Sequence, residues 1–363
     1  MTARRVVIAP DSFKGTMSAV EAGQAMADGW RESRPYDQVS VFPMADGGEG
    51  TLDIMKNATP GSRVVDVGQV TGPHGTPTPS HYLALDQDTA LVELAVCSGI
   101  TLMSPLNAMA ATTRGLGETI RVALDNGVRH VIIALGGSAS TDAGIGALQA
   151  LGLQANTANG DEAGFGGASL GDIVRFDSSD LRLPAKVTLL SDTTAAFLDA
   201  PAVFGPQKGA TPGEVTRLED SFRHLLELTG DSVHHMIPGA GAAGGCGWGF
   251  AHFLGATSIN GAQTVADLVG ATEAMSKADA VVTGEGKFDA TSVTGKVTGA
   301  IITVAQRNNI PVGVVAGVVD VDNGGDIPWA SLVDQAGTVD SAMSTPHAFA
   351  QKAAATLAEK MFP

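Results

Sequence analysis

Aromatic side chains are scarce in this chain: Phe, Trp and Tyr together make up 5% of its 363 residues. Alanine, glycine and valine carry much of the apolar content, and hydrophobic residues still reach 44%. Small side chains let helices pack closely on parallel strands, which favours an α/β core. Cysteine is nearly absent. Cys97 and Cys246 stand in unrelated contexts, which argues against a disulfide framework or a cysteine-based metal site. Positive charge is short as well, with 22 Lys and Arg against 38 Asp and Glu and a net charge of −16. A nucleic-acid partner needs a basic face, and an anionic membrane surface is equally ill matched. No uninterrupted apolar run reaches spanning length, and no apolar leader precedes the first strand. The expectation is a cytoplasmic protein, monomer or homodimer.

Glycine is abundant, and it recurs with acids, lysines and hydroxyls at the ends of apolar runs. Six such loops read Ala9-Pro-Asp-Ser-Phe-Lys14, Met44-Ala-Asp-Gly-Gly-Glu-Gly-Thr51, Gly136-Gly-Ser-Ala-Ser-Thr-Asp-Ala-Gly144, Phe204-Gly-Pro-Gln-Lys-Gly209, Pro238-Gly-Ala-Gly-Ala-Ala-Gly-Gly-Cys-Gly-Trp-Gly249 and Val282-Thr-Gly-Glu-Gly-Lys-Phe-Asp289. Glycine lets a backbone approach an anion and point N–H groups at it. Carboxylates at strand ends can hold a divalent cation. The repetition points to phosphate handling.

The ends of the chain share one rhythm. Val6–Ala9 is a strand, Ser18 caps a helix to about Arg34 with Glu21 at the capping-box position, Val39–Pro43 is a strand and Thr51–Ala58 a helix. Ala280–Thr283 is a strand feeding a loop at Gly284–Asp289. Val293–Asn308 is a helix, Pro311–Ala316 a strand, Leu332–Gln335 a candidate strand and Pro346–Lys360 a closing helix. The middle differs: Arg63–Val70, His81–Ala84 and Ala90–Leu94 read as antiparallel strands, followed by strands His130–Leu135 and Val187–Leu190 and an amphipathic helix Glu214–Thr229. The fold class expected is α/β, an open parallel Rossmann-like sheet domain built from both chain ends (1–61 with 262–363), with an inserted mixed α/β domain (62–261).

Gly239-Ala-Gly241-Ala-Ala-Gly244 matches the dinucleotide fingerprint literally, in poor context, because Pro238 precedes it and glycines continue to Gly249. A nicotinamide-dependent oxidoreductase therefore stands as an alternative. Walker A and protein-kinase signatures are absent. Asp11, Asp46, Glu49, Asp192, Glu285 and Asp289 follow predicted strands, where ligands of open α/β sheets bind. Spacing does not choose the base among them. Lys14, Lys208, Lys287 and Lys296 sit beside glycine or hydroxyl residues and could neutralise a phosphoryl group. Arg114, at a helix start, could clamp a carboxylate or phosphate. Ser138 and Ser140 lack a nucleophile elbow, which disfavours a hydrolase. The eight histidines are scattered, His234-His235 being their one cluster, with no acid or cysteine at a metal spacing.

In order, from residue 9 to 296, these loops resemble the bacterial-type glycerate kinase family, which acts on D-glycerate. Thr112-Thr-Arg-Gly115, Asp142 and Gly295-Lys296 extend the likeness. The resemblance implies two α/β domains with the active site in an interdomain cleft, ATP-dependent phosphorylation of a glycerate hydroxyl, Mg²⁺ carried with ATP, and 2-phosphoglycerate as the favoured product. On it rest these residue roles. Asp192, Lys14 and Lys208 are catalytic. Asp11, Ser12, Asp46, Arg114 and Ser138 bind substrate. Gly136, Gly137, Gly239, Gly241, Gly244, Gly284, Glu285 and Lys296 bind the nucleotide, and Asp46, Glu49 and Asp289 bind the metal. Two departures stand out. The family's usual asparagine after Asp192 is Ala195, which offers no hydrogen-bonding side chain, and Thr141 stands where asparagine is common. Loss of function around Asp192 would leave a non-catalytic ATP-binding sensor as a third reading.

Overall fold

The computed structural model describes residues 3–290, 292, 296–320 and 327–363. The expected helix start at Val293 and the glycine of Gly295-Lys296 lie outside the described residues. The chain divides into two units, Met1–Asp46 with Ala262–Pro363, and Gly47–Gly261.

In the first unit, buried Val6, Val7, Ile8, Val281, Val282, Val314 and Val315 build a sheet covered on both faces. All its pairings are parallel, in the order Trp329–Ser331, Val312–Val319, Ala280–Phe288, Arg5–Pro10, Gln38–Val41. Such β-branched runs suit strands buried on both sides. The helix Ala19–Ser33 starts on the expected capping box of Ser18 and Glu21 and packs against the helix Pro346–Met361. Two local expectations change. The strand Ala280–Phe288 runs through the expected Gly284–Asp289 loop, because Glu285, Lys287 and Phe288 continue the ladder opposite Ala316, Val318 and Val319. Leu332–Gln335 is helical rather than extended: the Ser331 side chain caps the helix Leu332–Ala336 by accepting from the Asp334 N–H.

In the second unit, six strands form a mixed sheet in the order Thr257–Asn260, Lys186–Ser191, His130–Ala134, Thr89–Glu93, Pro77–Ala84, Arg63–Thr71. The first four run parallel, and the hairpin-linked strands at the far edge are antiparallel, as the turn residues foretold. The helix Thr51–Ala58 belongs to this unit, so the first boundary falls at Asp46 rather than residue 61. Glu93 explains why. Its N-cap, Gly50, has no side chain to offer, and the buried Glu93 carboxylate accepts the Gly50 and Leu52 N–H groups at 3.0 and 2.9 Å. Burial pushes the Glu93 carboxyl up to about 7 even though both N–H donors favour its charge.

Glu93→Ala strands those two N–H groups. The expected cost is on the order of 1–3 kcal/mol, seen as a lower Tm by calorimetry; an unchanged Tm refutes this capping role.

Candidate active site

In the first unit's sheet, Arg5–Pro10 is flanked by Gln38–Val41 on one side and Ala280–Phe288 on the other. The strand order therefore reverses at Arg5–Pro10, and ligands of open α/β sheets bind beyond the carboxyl ends at such a switch point. Asp11 sits there. Its N–H donates to the Gly284 carbonyl at 2.9 Å, and its Oδ1 accepts the Ser12 N–H at 2.7 Å. A cavity of about 390 Å³ opens at this place. Asp11, Ser12, Lys14, Thr16, Asp46, Glu285, Lys287 and Lys296 supply its polar lining, and Val318, Leu332, Val333, Val339 and Met343 much of its apolar lining. Burial, then the Asp46 charge, push the Asp11 carboxyl from 3.8 up to about 7, against the pull of the Ser12 N–H and Lys14. Burial also raises Glu285, whose Oε1 is buried without a hydrogen-bond partner. A low-dielectric concentration of carboxylates with an unsatisfied oxygen matches what a hard divalent cation requires.

The second unit presents a different arrangement at the ends of its parallel strands. Gly136–Ser140 follows His130–Ala134, and Asp192 follows Lys186–Ser191. Asp142 is fully buried and accepts the Thr113 N–H and Oγ1–H at 2.8 Å each and the Gly144 N–H at 3.1 Å. It thereby ties the start of the helix Arg114–Asp125 to the glycine loop, although burial raises its own pKa. Lys208, only 2% exposed, donates from Nζ to Ser138 Oγ at 2.7 Å and to the Ser140 carbonyl. Burial lowers its pKa from 10.5 to about 8. Arg114 is partly exposed, with Nε 3.1 Å from Glu118 Oε1 and its guanidinium 4.9 Å over the Phe165 ring.

The chain matches the model of the glycerate kinase family over residues 6–361. It belongs to the glycerate kinase family. Glycerate 2-kinase of Escherichia coli strain K12 is 37% identical over 355 residues, covering 93% of each chain. Glycerate kinase of Haemophilus influenzae is 38% identical over 330 residues, covering 88% of this chain and 87% of that one. A crystal structure of a Salmonella typhimurium LT2 protein assigned as glycerate kinase 2 superposes with a TM-score of 0.81 at 35% identity, covering 99% of this chain and 98% of that one. The chain is thus a phosphotransferase of the glycerate kinase type, and its family implies the use of ATP.

Within the family's frame, the expected site residues fall into two groups by unit. Asp11, Ser12, Lys14, Asp46, Glu285 and Lys296 line the first unit's cavity. Gly284 adjoins it, but lies in a strand where a Cβ would sit 2.5 Å from the Val315 carbonyl oxygen. Asp289 pairs with Lys287 at 3.0 Å. In the second unit, Glu49 is exposed ahead of the helix Thr51–Ala58, Gly137 is exposed, and Gly136 packs so closely on Gly48 that a Cβ would lie 2.4 Å from its Cα. Gly239, Gly241 and Gly244 each face other loops: Gly239 approaches the Thr193 carbonyl, Gly241 N–H donates to the Ala195 carbonyl at 2.9 Å, and Gly244 abuts Ser140.

The dinucleotide context fails. A single turn of 3-10 helix, His234–Met236, stands where a strand would have to precede Gly239. Cysteine stays inert, since both thiols are buried and burial raises their pKa values. The expectation about histidine also changes. Asp231 lies three residues before His234, and tertiary folding adds His252 to the pair. The local signal was Asp231-x-x-His234; nothing in sequence linked it to His252.

Among the described residues no helix is long and apolar enough to cross a membrane.

Because the Asp11 pKa is raised, the folded state holds a proton there that the unfolded chain has lost between about pH 4 and 7. Stability from this group therefore falls as pH rises through that window. Asp11→Asn removes the penalty. In magnesium-free buffer at pH 8 the variant is expected to be more stable by on the order of 2 kcal/mol, with the gain vanishing towards pH 4. Denaturant titrations at both pH values check this; a variant less stable at pH 8 contradicts it.

Proposed function

We propose that this chain transfers the γ-phosphoryl group of ATP to a hydroxyl of D-glycerate, giving 2-phosphoglycerate, with Mg²⁺ accompanying the nucleotide. The observation that carries this is the cavity at the sheet's switch point. It combines three lysines, three carboxylates and an apolar lining in a volume of about 390 Å³, suited to a base and a phosphate chain. The preference for the 2-phosphate draws on the name of the Escherichia coli relative.

The apolar residues Val318, Leu332 and Met343 would cover the adenine, and Lys14 and Lys296 would neutralise phosphate oxygens. Asp11, Asp46 and Glu285 would hold Mg²⁺, with Asp289 near the end of the same strand. When bound, that ion supplies charge neutralisation on the phosphates. In the second unit, Arg114 and the Gly136–Ser138 loop would receive glycerate, and Asp192 would orient or deprotonate the attacking hydroxyl. Lys208, buried beneath Ser138, would keep that loop in place and lend it positive charge. Positioning and electrostatics account for most catalysis in phosphoryl transfer, so such groups suffice.

A coupled ADP-release assay with D-glycerate, L-glycerate and other hydroxy acids tests the activity, and phosphorus NMR of the product distinguishes 2- from 3-phosphoglycerate. No ADP release with D-glycerate overturns the proposal. Asp192→Asn is expected to lower kcat at least ~10²-fold; a wild-type rate removes Asp192 from the chemistry. Lys208 loses its charge above pH about 8, so kcat should decline there. Lys208→Met should reduce kcat at all pH values and abolish that alkaline limb.

A further inference from the structure

Asp231, His234 and His252 lie in the second unit and are not among the residues assigned above to phosphoryl transfer. Each offers one ligand atom, and these atoms all lie within 4.8 Å of one another. Asp231 Oδ1 stands 2.7 Å from His234 Nδ1 and 3.5 Å from His252 Nδ1. Its other oxygen is already engaged. Oδ2 accepts the His235 N–H at 2.9 Å and the Trp248 Nε1–H at 3.2 Å, and His235 Nδ1 lies 3.2 Å away. Oδ1 also accepts the His234 N–H at 3.1 Å, so both oxygens are oriented by outer donors, and Oδ1 is the one that faces the two imidazoles. Metal-ligating carboxylates are oriented in this way by outer hydrogen bonds.

The imidazoles are also fixed. His252 stacks on Trp248, with ring centroids 5.6 Å apart, and meets Phe253 edge-on at 4.7 Å. Its Nδ1 is buried and makes no well-formed hydrogen bond, facing only Asp231 Oδ1 at 3.5 Å. A buried nitrogen left unsatisfied is costly, and a bound cation would satisfy it. His234 is 39% exposed, which leaves an entry path and room for water.

We propose that Asp231, His234 and His252 bind one divalent transition metal of the zinc class, with solvent in the fourth position. Two imidazoles and a carboxylate are donors that suit zinc and its neighbours, whereas Mg²⁺ prefers oxygen alone. Zinc bonds to nitrogen and oxygen of about 2.0–2.1 Å place tetrahedral ligand atoms roughly 3.3 Å apart. The 2.7 and 3.5 Å separations bracket that spacing, and all three ligand atoms lie within 4.8 Å of one another.

The test uses the full chain, stripped with EDTA and dialysed, then titrated with Co²⁺ while visible d–d absorption is followed. One equivalent should produce a saturating tetrahedral spectrum that Zn²⁺ displaces and Mg²⁺ does not. His234→Gln and His252→Gln should each weaken Co²⁺ binding at least ~10-fold, with unchanged circular dichroism and unchanged ADP release. Zn²⁺ should raise the Tm of the wild-type protein and not that of His234→Gln, a partly exposed position expected to fold normally. Absence of saturable Co²⁺ absorption overturns the proposal, as does a spectrum undiminished in both variants.

Discussion

The parallel pairing of Arg5–Pro10 with Ala280–Phe288 is the constraint on which the first unit's chemistry depends. Residues more than 270 positions apart are held in register by the ladder from Val6 opposite Ala280 to Pro10 opposite Gly284. Side chains reinforce it at both ends. Asp279 accepts the Arg5 N–H at 2.7 Å, and Thr283 Oγ1 donates to the Ala9 carbonyl at 2.8 Å. A one-residue slip would turn every side chain to the opposite face. It would carry Asp11 away from Glu285 and dissolve the acidic end of the cavity. The excursion through the second unit is tolerated because loop-closure entropy grows only slowly with length.

Both units store unfavourable electrostatics where chemistry is proposed. Asp11 is buried beside Asp46, Asp142 is enclosed among N–H and hydroxyl donors, and Lys208 is sealed beneath Ser138. Structural ion pairs perturb pKa values too, but these three groups follow or brace loops at strand ends, where open α/β sheets bind ligands. The strain of keeping Asp11 and Asp46 together is what a divalent cation would relieve. Arg114 is less exceptional, since Glu118 and Phe165 already occupy its guanidinium.

Much of the fold was legible because local rules and tertiary packing agree. The capping box at Ser18–Glu21, the β-branched strands and the antiparallel hairpins of the middle stand as periodicity and turn chemistry indicate. Where readings failed, a nonlocal partner intervened. Gly284–Phe288 has loop composition, yet the edge of Val312–Val319 extends it as a strand. Residues 47–61 follow the first unit in sequence, yet Glu93 anchors them to the second. The glycines of the Gly239 loop also stand where backbones of neighbouring loops touch, which spacing along the chain does not reveal.

The sequence by itself determined the family, the two-part α/β organisation and the inventory of acids, lysines and glycines, because ordered motifs and hydrophobic periodicity are local properties. Only the tertiary structure decided which of those residues share a site. It gathered Asp11, Asp46, Glu285 and Lys296 around one cavity, buried Lys208 against Ser138, and brought His252 to Asp231 and His234. The physical reason is that burial and convergence depend on strand order and packing between residues distant in the chain. Those same contacts set each group's charge, which no spacing along the chain reveals.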